Sequence, residues 1–145
     1  MRRDLPPLAV DHPRNSALLT FLRAQAAPPD GPDDLALGEW QLHTHPDLCE
    51  RLAELAPRAP LHAAYGVPVL AHEGIAAAVA LGTSALLVRL PAPPPKLRAG
   101  PPVGLPAGRG WQSVDAWQGE LPSAEADRRL SGVVRGALAR LSAPA

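Results

Sequence analysis

The chain has 145 residues, and its 14 basic and 14 acidic side chains give it a formal net charge of zero. This balance argues against a strong electrostatic attraction to nucleic acid or to an anionic membrane. The length fits one domain, residues 1–145, with a core of its own. Cys49 is the only cysteine, which excludes an internal disulfide and is typical of a reducing cytoplasm. No apolar run reaches the roughly 18 residues that a membrane-spanning helix needs.

The N-terminal part of the sequence predicts a flexible lead, a helix and a short strand. Residues 1–13 form the lead, and a helix begins near Asn15 or Ser16 because apolar residues then recur at helical spacing, at Leu18, Leu19, Leu22 and Ala26. Two prolines, Pro28 and Pro29, end that helix. The strand is predicted over 35–42 and carries Trp40.

A second helix is predicted over 46–56. Thr44 can cap it, Pro46 suits a first helical turn, and Asp47 favours the positive end of the helix dipole. The apolar stripe of this helix is Leu48, Leu52 and Leu55.

The segment from Tyr65 to Leu90 predicts an antiparallel meander. Three apolar runs of strand length are separated by His72-Glu73-Gly74 and by Gly82-Thr83-Ser84, where glycine permits a sharp reversal. Residues 91–110 follow as a loop rich in proline and glycine, which we expect to be mobile. Residues 111–117 then predict a last strand with Trp111, Ser113, Asp115 and Trp117 on one face.

A long helix closes the chain. Ser123 is a candidate N-cap, and Glu125 and Asp127 suit the first turn. Its apolar face predicts packing of Leu130, Val134, Leu138 and Leu141 against Val69, Val79, Leu87 and Val88. The predicted fold is therefore α+β, with an antiparallel sheet of four to six strands, the C-terminal helix on one face and one or two N-terminal helices.

The motif His43-Thr44-His45-Pro46 resembles the zinc site of JAB/MPN (JAMM) metalloproteases, in which two histidines of a His-Ser/Thr-His-Pro motif bind zinc. The resemblance implies a zinc-dependent hydrolase that uses His43 and His45. That family also has a Ser-x-x-Asp pattern downstream and a catalytic glutamate well upstream. No Ser-x-x-Asp follows Pro46, and the one glutamate before His43 is Glu39. Without these parts, capping of the second helix by Thr44 is the competing interpretation.

Two further histidines, His62 and His72, would complete a metal site with His43 and His45 if the sheet brought all four together. The spacing does not require this, so the sequence predicts no cofactor, with zinc as the alternative. Cys49 could act as a nucleophile beside His45, or it could pack beside Leu48 in the core.

Aromatic residues are concentrated near the last predicted strand. Trp111 and Trp117 could form the floor of a ligand groove, with Asp115 and Arg89 as polar contacts. Tyr65, elsewhere in the sequence, is a further candidate binding residue. Alternatively, these rings fill space between sheet and helix that alanine cannot fill.

The C-terminal helix carries four arginines on its polar flanks: Arg128, Arg129, Arg135 and Arg140. Aromatic residues are not interleaved with them, so the pattern predicts a solvated face and no tight nucleic-acid binding.

The order of elements from Leu61 to Leu90, together with the closing helix, resembles the small α+β domains of the TfoX N-terminal and YjbR types. Ala64-Tyr65-Gly66-Val67 stands where those domains tend to have Met-Phe-Gly-Gly, and Gly74-Ile75-Ala76 where they have a turn glycine before the central strand. The resemblance implies a regulatory or interactive role. We therefore expect a cytoplasmic binding or protein-interaction domain without catalytic activity, either monomeric or homodimeric, whose partner is a protein or a small molecule.

Overall fold

The computed structural model describes residues 5–9, 11–25, 44–100 and 110–142. A 3-10 turn at Pro13–Asn15 leads into α1, Ser16–Gln25, and after a gap α2 spans Pro46–Leu55. Five strands follow: β1 Leu61–Ala64, β2 Val67–His72, β3 Ile75–Leu81, β4 Ala85–Val88 and β5 Gln112–Asp115. Helix α3, Ser123–Ser142, closes the chain. The strands form one antiparallel sheet in sequential order, so the predicted α+β fold is confirmed.

Two-residue turns connect the first three strands. Tyr65 and Gly66 have φ values of 48° and 79°, and Glu73 and Gly74 have φ values of 51° and 81°. Positive φ at both central residues is the pattern of a type I′ turn, whose twist matches that of the flanking strands. The second residue of each turn is glycine because it adopts this conformation without steric cost.

A β-bulge in β3 interrupts the alternation of side chains. Leu70 pairs with Ala78 and Ala71 pairs with Ala76, so Ala77 is the extra residue. Ala77 and Ala78 therefore both belong to the core on the α3 side. The bulge places Val79 on the opposite face from Ile75, although alternation alone would put the two residues on the same face.

Helices α2 and α3 cover the first face of the sheet. The prediction for this packing was partly wrong, because Val69, Val79 and Leu87 lie in the cluster on the other face, and only Val88 of the four predicted strand residues packs with α3. Leu138 is half-buried at the margin of the cluster. The large buried side chains that form this core are Leu48, Leu52, Leu55, Leu70, Leu86, Val88, Leu90, Val114, Leu130, Val134 and Leu141.

Helix α1 and the segment before it cover the second face. The side chains buried there include Leu8, Leu18, Phe21, Leu22, Val67, Val69, Val79, Leu87 and Trp111. Asn15, fully buried, connects these parts: its amide nitrogen donates to the carbonyls of Ala9 and Gly74 at 2.9 and 2.8 Å, and its amide oxygen accepts from the Ala76 N–H at 2.9 Å.

Each outer strand of the sheet carries a short piece of chain along its free side. The Leu8 N–H donates to the carbonyl of Ala63 in β1, and the Ala63 N–H donates to Pro6, so this part of the predicted lead has fixed contacts. Residues 98–100, in the predicted Pro/Gly-rich loop, pair with β5 through Gly100 and Ser113. A Cβ atom on Gly100 would come within 2.4 Å of the Ser113 hydroxyl, so only glycine fits this approach.

The N-terminus of α2 differs from the prediction. His45 is the N-cap, and its Nδ1 atom accepts from the Asp47 N–H at 3.0 Å. Thr44 is instead buried, and its hydroxyl donates to the carbonyl of Ala80 at 2.7 Å, which fixes the helix to β3. The predicted strand over 35–42, with Trp40, lies outside the described residues.

Candidate functional site

The five predicted binding residues occupy three separate places in the structure and do not form one groove. Trp111 and Arg89 lie against the second face of the sheet, whereas Trp117 lies at the end of β5 and contacts Arg51 of α2. Asp115 lies beside Trp117, and Tyr65 lies in the β1–β2 turn.

Trp111 and Arg89 have structural contacts. The Trp111 ring is buried, and the Arg89 guanidinium stacks over it, 4.7 Å from the ring centroid. Arg89 also donates from Nε to the Ala76 carbonyl at 2.8 Å and from Nη2 to the Arg14 carbonyl at 3.1 Å. Burial, with a smaller effect of the nearby Arg14 charge, lowers the pKa of Arg89 to about 10. This pair therefore joins the start of the chain to the sheet and leaves little surface for a ligand.

Trp117 does not share a strand face with Trp111, because β5 ends at Asp115. The Asp115 carboxylate accepts from the Trp117 N–H at 2.8 Å, a turn that competes with continued strand pairing. The chain then bends, and the indole Nε1 of Trp117 donates to the Thr83 carbonyl at 2.9 Å. Trp117 nevertheless remains 42% exposed.

Arg51 holds the Trp117 ring from the side of α2. Its guanidinium lies 5.5 Å from the ring centroid, its Nε donates to the Ala116 carbonyl at 3.2 Å, and its Nη1 pairs with the Asp127 carboxylate of α3. The charge of Arg51 is neutralised by Asp127, so its role at the ring is structural. Its contacts connect α2, α3 and the end of β5.

Gln118 fixes the chain next to Trp117. It is only 7% exposed, and its amide accepts from the Arg98 N–H at 2.7 Å and donates to the Arg98 carbonyl at 3.0 Å. The same amide nitrogen donates to the Asp115 carbonyl at 2.7 Å. Arg98 in turn pairs with Asp115 at 2.9 Å and donates to the Trp117 carbonyl at 2.7 Å.

A hollow of about 410 Å³ lies in this region, with both apolar and charged side chains around it. Its lining residues are Lys96, Leu97, Arg98, Gln118, Glu120 and Leu121. We call this hollow together with Trp117 the Trp117 corner. Trp117 is adjacent in sequence to Gln118 but does not itself line the hollow. The corner therefore offers an exposed aromatic ring and a separate, partly apolar depression, both of which suit contact with side chains of another molecule.

The sequence pattern indicates Trp117 as an aromatic and Asp115 as a polar candidate for ligand binding. It gives no signal for Arg51, Arg98 or Gln118. Arg98 and Gln118 are 20 positions apart and Arg51 is 65 positions from Ala116. Their contacts depend on the sheet and on the position of α2, so no local motif could reveal them.

Tyr65 is also 42% exposed and lies at the same end of the sheet as Trp117, since both follow strands that run in that direction. Three to four strand spacings separate them, about 15–19 Å. Tyr65 is thus outside the Trp117 corner.

The described histidines lie in different places. His12 caps the 3-10 turn and His45 caps α2, whereas His62 is opposite Val69 on the side of the second face and His72 lies on the side of α3 beside Leu138. The Nδ1 atom of His62 is buried and has no hydrogen-bond partner among the residues that the structure describes. Within the described part of the chain, no group of three or more His, Cys, Asp or Glu side chains is placed to hold a metal ion. His43 lies outside that part, so the zinc alternative stays a prediction.

Cys49 is buried on α2, as its helical position beside Leu48 suggests. Burial, together with the neighbouring Glu50 carboxylate, raises the pKa of the thiol to about 12. A thiol in this state is a poor nucleophile, since the reactive form is the thiolate.

Comparison of the chain with protein-family models, with curated proteins and with solved structures gives no match. Among residues 5–9, 11–25, 44–100 and 110–142, no helix is both long enough and apolar enough to cross a lipid bilayer.

Proposed function

We propose that the protein is a cytoplasmic protein-interaction domain without catalytic activity, and that the Trp117 corner is its contact surface. The observation that carries the proposal is that the indole of Trp117 is exposed and yet held in place, by Thr83 through its ring nitrogen, by Asp115 through its main chain and by Arg51 through its face. The resemblance to TfoX N-terminal and YjbR-type domains, which implies regulatory or interactive roles, supports the same class of function.

An aromatic ring that is fixed before binding favours association. Ordering a mobile side chain costs roughly 0.5–1.5 kcal/mol, and Trp117 has little of this freedom left to lose. Covering the exposed part of the ring, roughly 100 Å², would contribute about 2.5 kcal/mol. Tryptophan is also enriched among the few residues that contribute most to protein interfaces.

The charges around Trp117 indicate the chemistry of the partner. Arg51 is neutralised by Asp127, and Arg98 lies between Asp115 and Glu120. Lys96 is the one lining charge without an ion pair among the described residues, so the surface is only weakly positive, and Leu97 and Leu121 give the hollow its apolar part. We infer a protein partner that inserts an apolar side chain beside the indole, in an association that depends weakly on salt.

The test is affinity capture of partners with the wild-type protein, followed by calorimetry with the purified partner. Trp117→Ala should weaken binding at least tenfold, about 1.4 kcal/mol. Trp117→Phe should have an intermediate effect, because it keeps an aromatic ring but loses the hydrogen bond to Thr83. Tyr65→Ala is the matched control, since Tyr65 is equally exposed and lies elsewhere.

The first and third of the following results would contradict the proposal, and the second would identify the partner. Equal losses for Trp117→Ala and Tyr65→Ala would remove the assignment to this corner. Dissociation of a homodimer by Trp117→Ala in sedimentation would make the occupant a second copy of the chain. Occupation of the hollow by a co-purified small molecule, with no loss of protein binding in the variant, would show a ligand site there.

A further inference from the structure

A pocket of about 630 Å³ lies between the end of α2, the β2–β3 turn and the C-terminal half of α3, at the opposite end of α3 from the Trp117 corner. Its polar lining residues are Arg58, His72, Arg135 and Ser142. We propose that this pocket binds a small organic anion, one carboxylate or phosphate group attached to an apolar body. This site is independent of the proposed protein interaction.

The two arginines of the pocket differ from Arg51 of α2 and Arg129 of α3, although Arg128 of α3 is also without an ion pair among the described residues. Arg51 and Arg129 each pair with a carboxylate, Asp127 and Glu125 respectively. Arg58 and Arg135 have no ion pair or hydrogen bond with any described residue, and no described carboxylate lines the pocket. Two guanidinium groups at one pocket without a counter-charge are suited to a planar or tetrahedral oxyanion, because each guanidinium offers parallel N–H donors.

The remaining lining residues determine the rest of the ligand. Leu138, Ala56, Ala59 and Ala139 provide an apolar wall next to the arginines. The imidazole of His72 adds one donor at the rim, whereas the Ser142 hydroxyl already donates to the Ala139 carbonyl at 2.7 Å. The volume is within the usual range for small-molecule sites, about 300–1,000 Å³. Such a wall would accept a ring or a short aliphatic chain beside the charged group.

Two effects oppose anion binding, and both are smaller than the charge of the arginines. The C-terminus of α3 lies at this pocket and carries a partial charge of about −0.5, which is screened at an exposed site. Glu73 follows His72 in the β2–β3 turn but does not line the pocket. Against these stand two full positive charges. Because Arg58 and Arg135 are solvent-exposed, we expect dissociation constants on the order of 1 mM.

The probes are benzoate and phenyl phosphate, with inorganic phosphate as an anion lacking the apolar body and benzamide as a neutral molecule of the shape of benzoate. Binding is followed by chemical-shift changes of the backbone amides of Ala56, Ala59 and Ala139. Arg135→Gln and Arg58→Gln should each weaken benzoate or phenyl phosphate about tenfold or more, and Arg135→Lys should weaken them less. Arg128→Gln is the matched control, since Arg128 is an exposed arginine of the same helix, has no ion pair in the described part of the chain and does not line the pocket.

Binding of either aromatic anion, lost with Arg135→Gln and kept with Arg128→Gln, supports the site, and the stronger of the two identifies the charged group. Benzamide binding as tight as benzoate would overturn the proposal, because an apolar pocket would then suffice. Inorganic phosphate as tight as phenyl phosphate would overturn the role of the apolar wall. Equal effects of Arg128→Gln and Arg135→Gln on binding would overturn the site itself. So would the absence of chemical-shift changes with every anion at concentrations up to about 10 mM. Thermal melts of each variant ensure that a loss of binding is not a loss of fold.

Discussion

The side chain of Gln118 exchanges two hydrogen bonds with the main chain of Arg98, at 2.7 and 3.0 Å, as a neighbouring strand would. The amide contacts three main-chain groups in all, since it also donates to the Asp115 carbonyl, and the Arg98 carbonyl accepts a second hydrogen bond from the Asp115 N–H at 3.1 Å. The pairing explains why residues 98–100 follow the edge of β5 although the segment before them is rich in proline.

Gln118→Leu should destabilise the fold by roughly 1–2 kcal/mol, because the half-buried Arg98 N–H loses its acceptor and the Asp115 carbonyl loses a donor, whereas the Arg98 carbonyl keeps the Asp115 N–H. Urea unfolding measures this. Gln112→Leu, on β5 and with a side chain that makes no hydrogen bond among the described residues, should change stability much less. Equal effects of the two variants would show that the Gln118 amide contributes little.

Leu130→Ala should lower the free energy of unfolding more than Leu138→Ala does. Leu130 is fully buried between α3 and the sheet, so its truncation should cost roughly 2–5 kcal/mol. Leu138 is half-buried, so we expect about 1–2 kcal/mol there. Chemical denaturation of both variants checks this order, and a larger cost at Leu138 would contradict the packing described for α3.

Cys49 should make stability depend on alkaline pH. Because burial raises the pKa of the thiol from 9.0 to about 12, the unfolded chain releases its proton first, so this contribution is complete below pH 9 and is lost as the pH rises toward 12. At pH 10 the loss should be about 1 kcal/mol. The free energies of unfolding of wild type and Cys49→Ala at pH 8 and pH 10 isolate the contribution of the thiol, since other groups titrate equally in both proteins.

The same thiol should react slowly with a disulfide reagent in the native protein and fast once urea unfolds the chain. Fast reaction of the folded protein at pH 8 would contradict the burial and revive Cys49 as a nucleophile.

The sheet was predictable because its signals are local. Gly66, Gly74 and Gly82 all adopt the positive φ that the turns require, and the run of apolar residues between the last two is β3. The closing helix was predictable for the same reason, since its apolar face is continuous from Leu130 to Leu141.

The side of the sheet on which each residue lies was not predictable. The bulge at Ala77 reverses the alternation within β3. Ala77 is the middle one of three consecutive alanines, so its residue type does not indicate a bulge. The predicted groove failed for a related reason: alternation over 111–117 assumes a straight strand, but the Asp115 carboxylate turns the chain before Trp117.

Removal of divalent metal should leave the melting temperature unchanged. The Nδ1 atom of His45 is occupied by the Asp47 N–H, which leaves only Nε2 for a ligand bond. Elemental analysis, with thermal melts in the presence and absence of chelator, is the measurement. Stoichiometric zinc that is lost with His43→Ala would instead support the hydrolase alternative.

Binding to duplex DNA at physiological salt should be weak. The net charge is zero, and Arg129 of the basic helix face is paired with Glu125. Fluorescence anisotropy at two salt concentrations tests this, with the triple variant Arg128→Gln, Arg129→Gln, Arg135→Gln for comparison. A tight, steeply salt-dependent affinity that the triple variant abolishes would be the opposite result.

The short bridges of Pro7 on β1 and Ala99 on β5 have a consequence for self-assembly. An exposed edge strand is a template on which a second molecule can extend the sheet, the first step of fibril growth. Here both outer strands already have main-chain hydrogen bonds on their free sides, so an incoming strand would have to displace Leu8 or Gly100 first. We therefore expect this alanine-rich, apolar sheet to resist fibril growth at protein concentrations at which a sheet with unpaired edge strands would form fibrils.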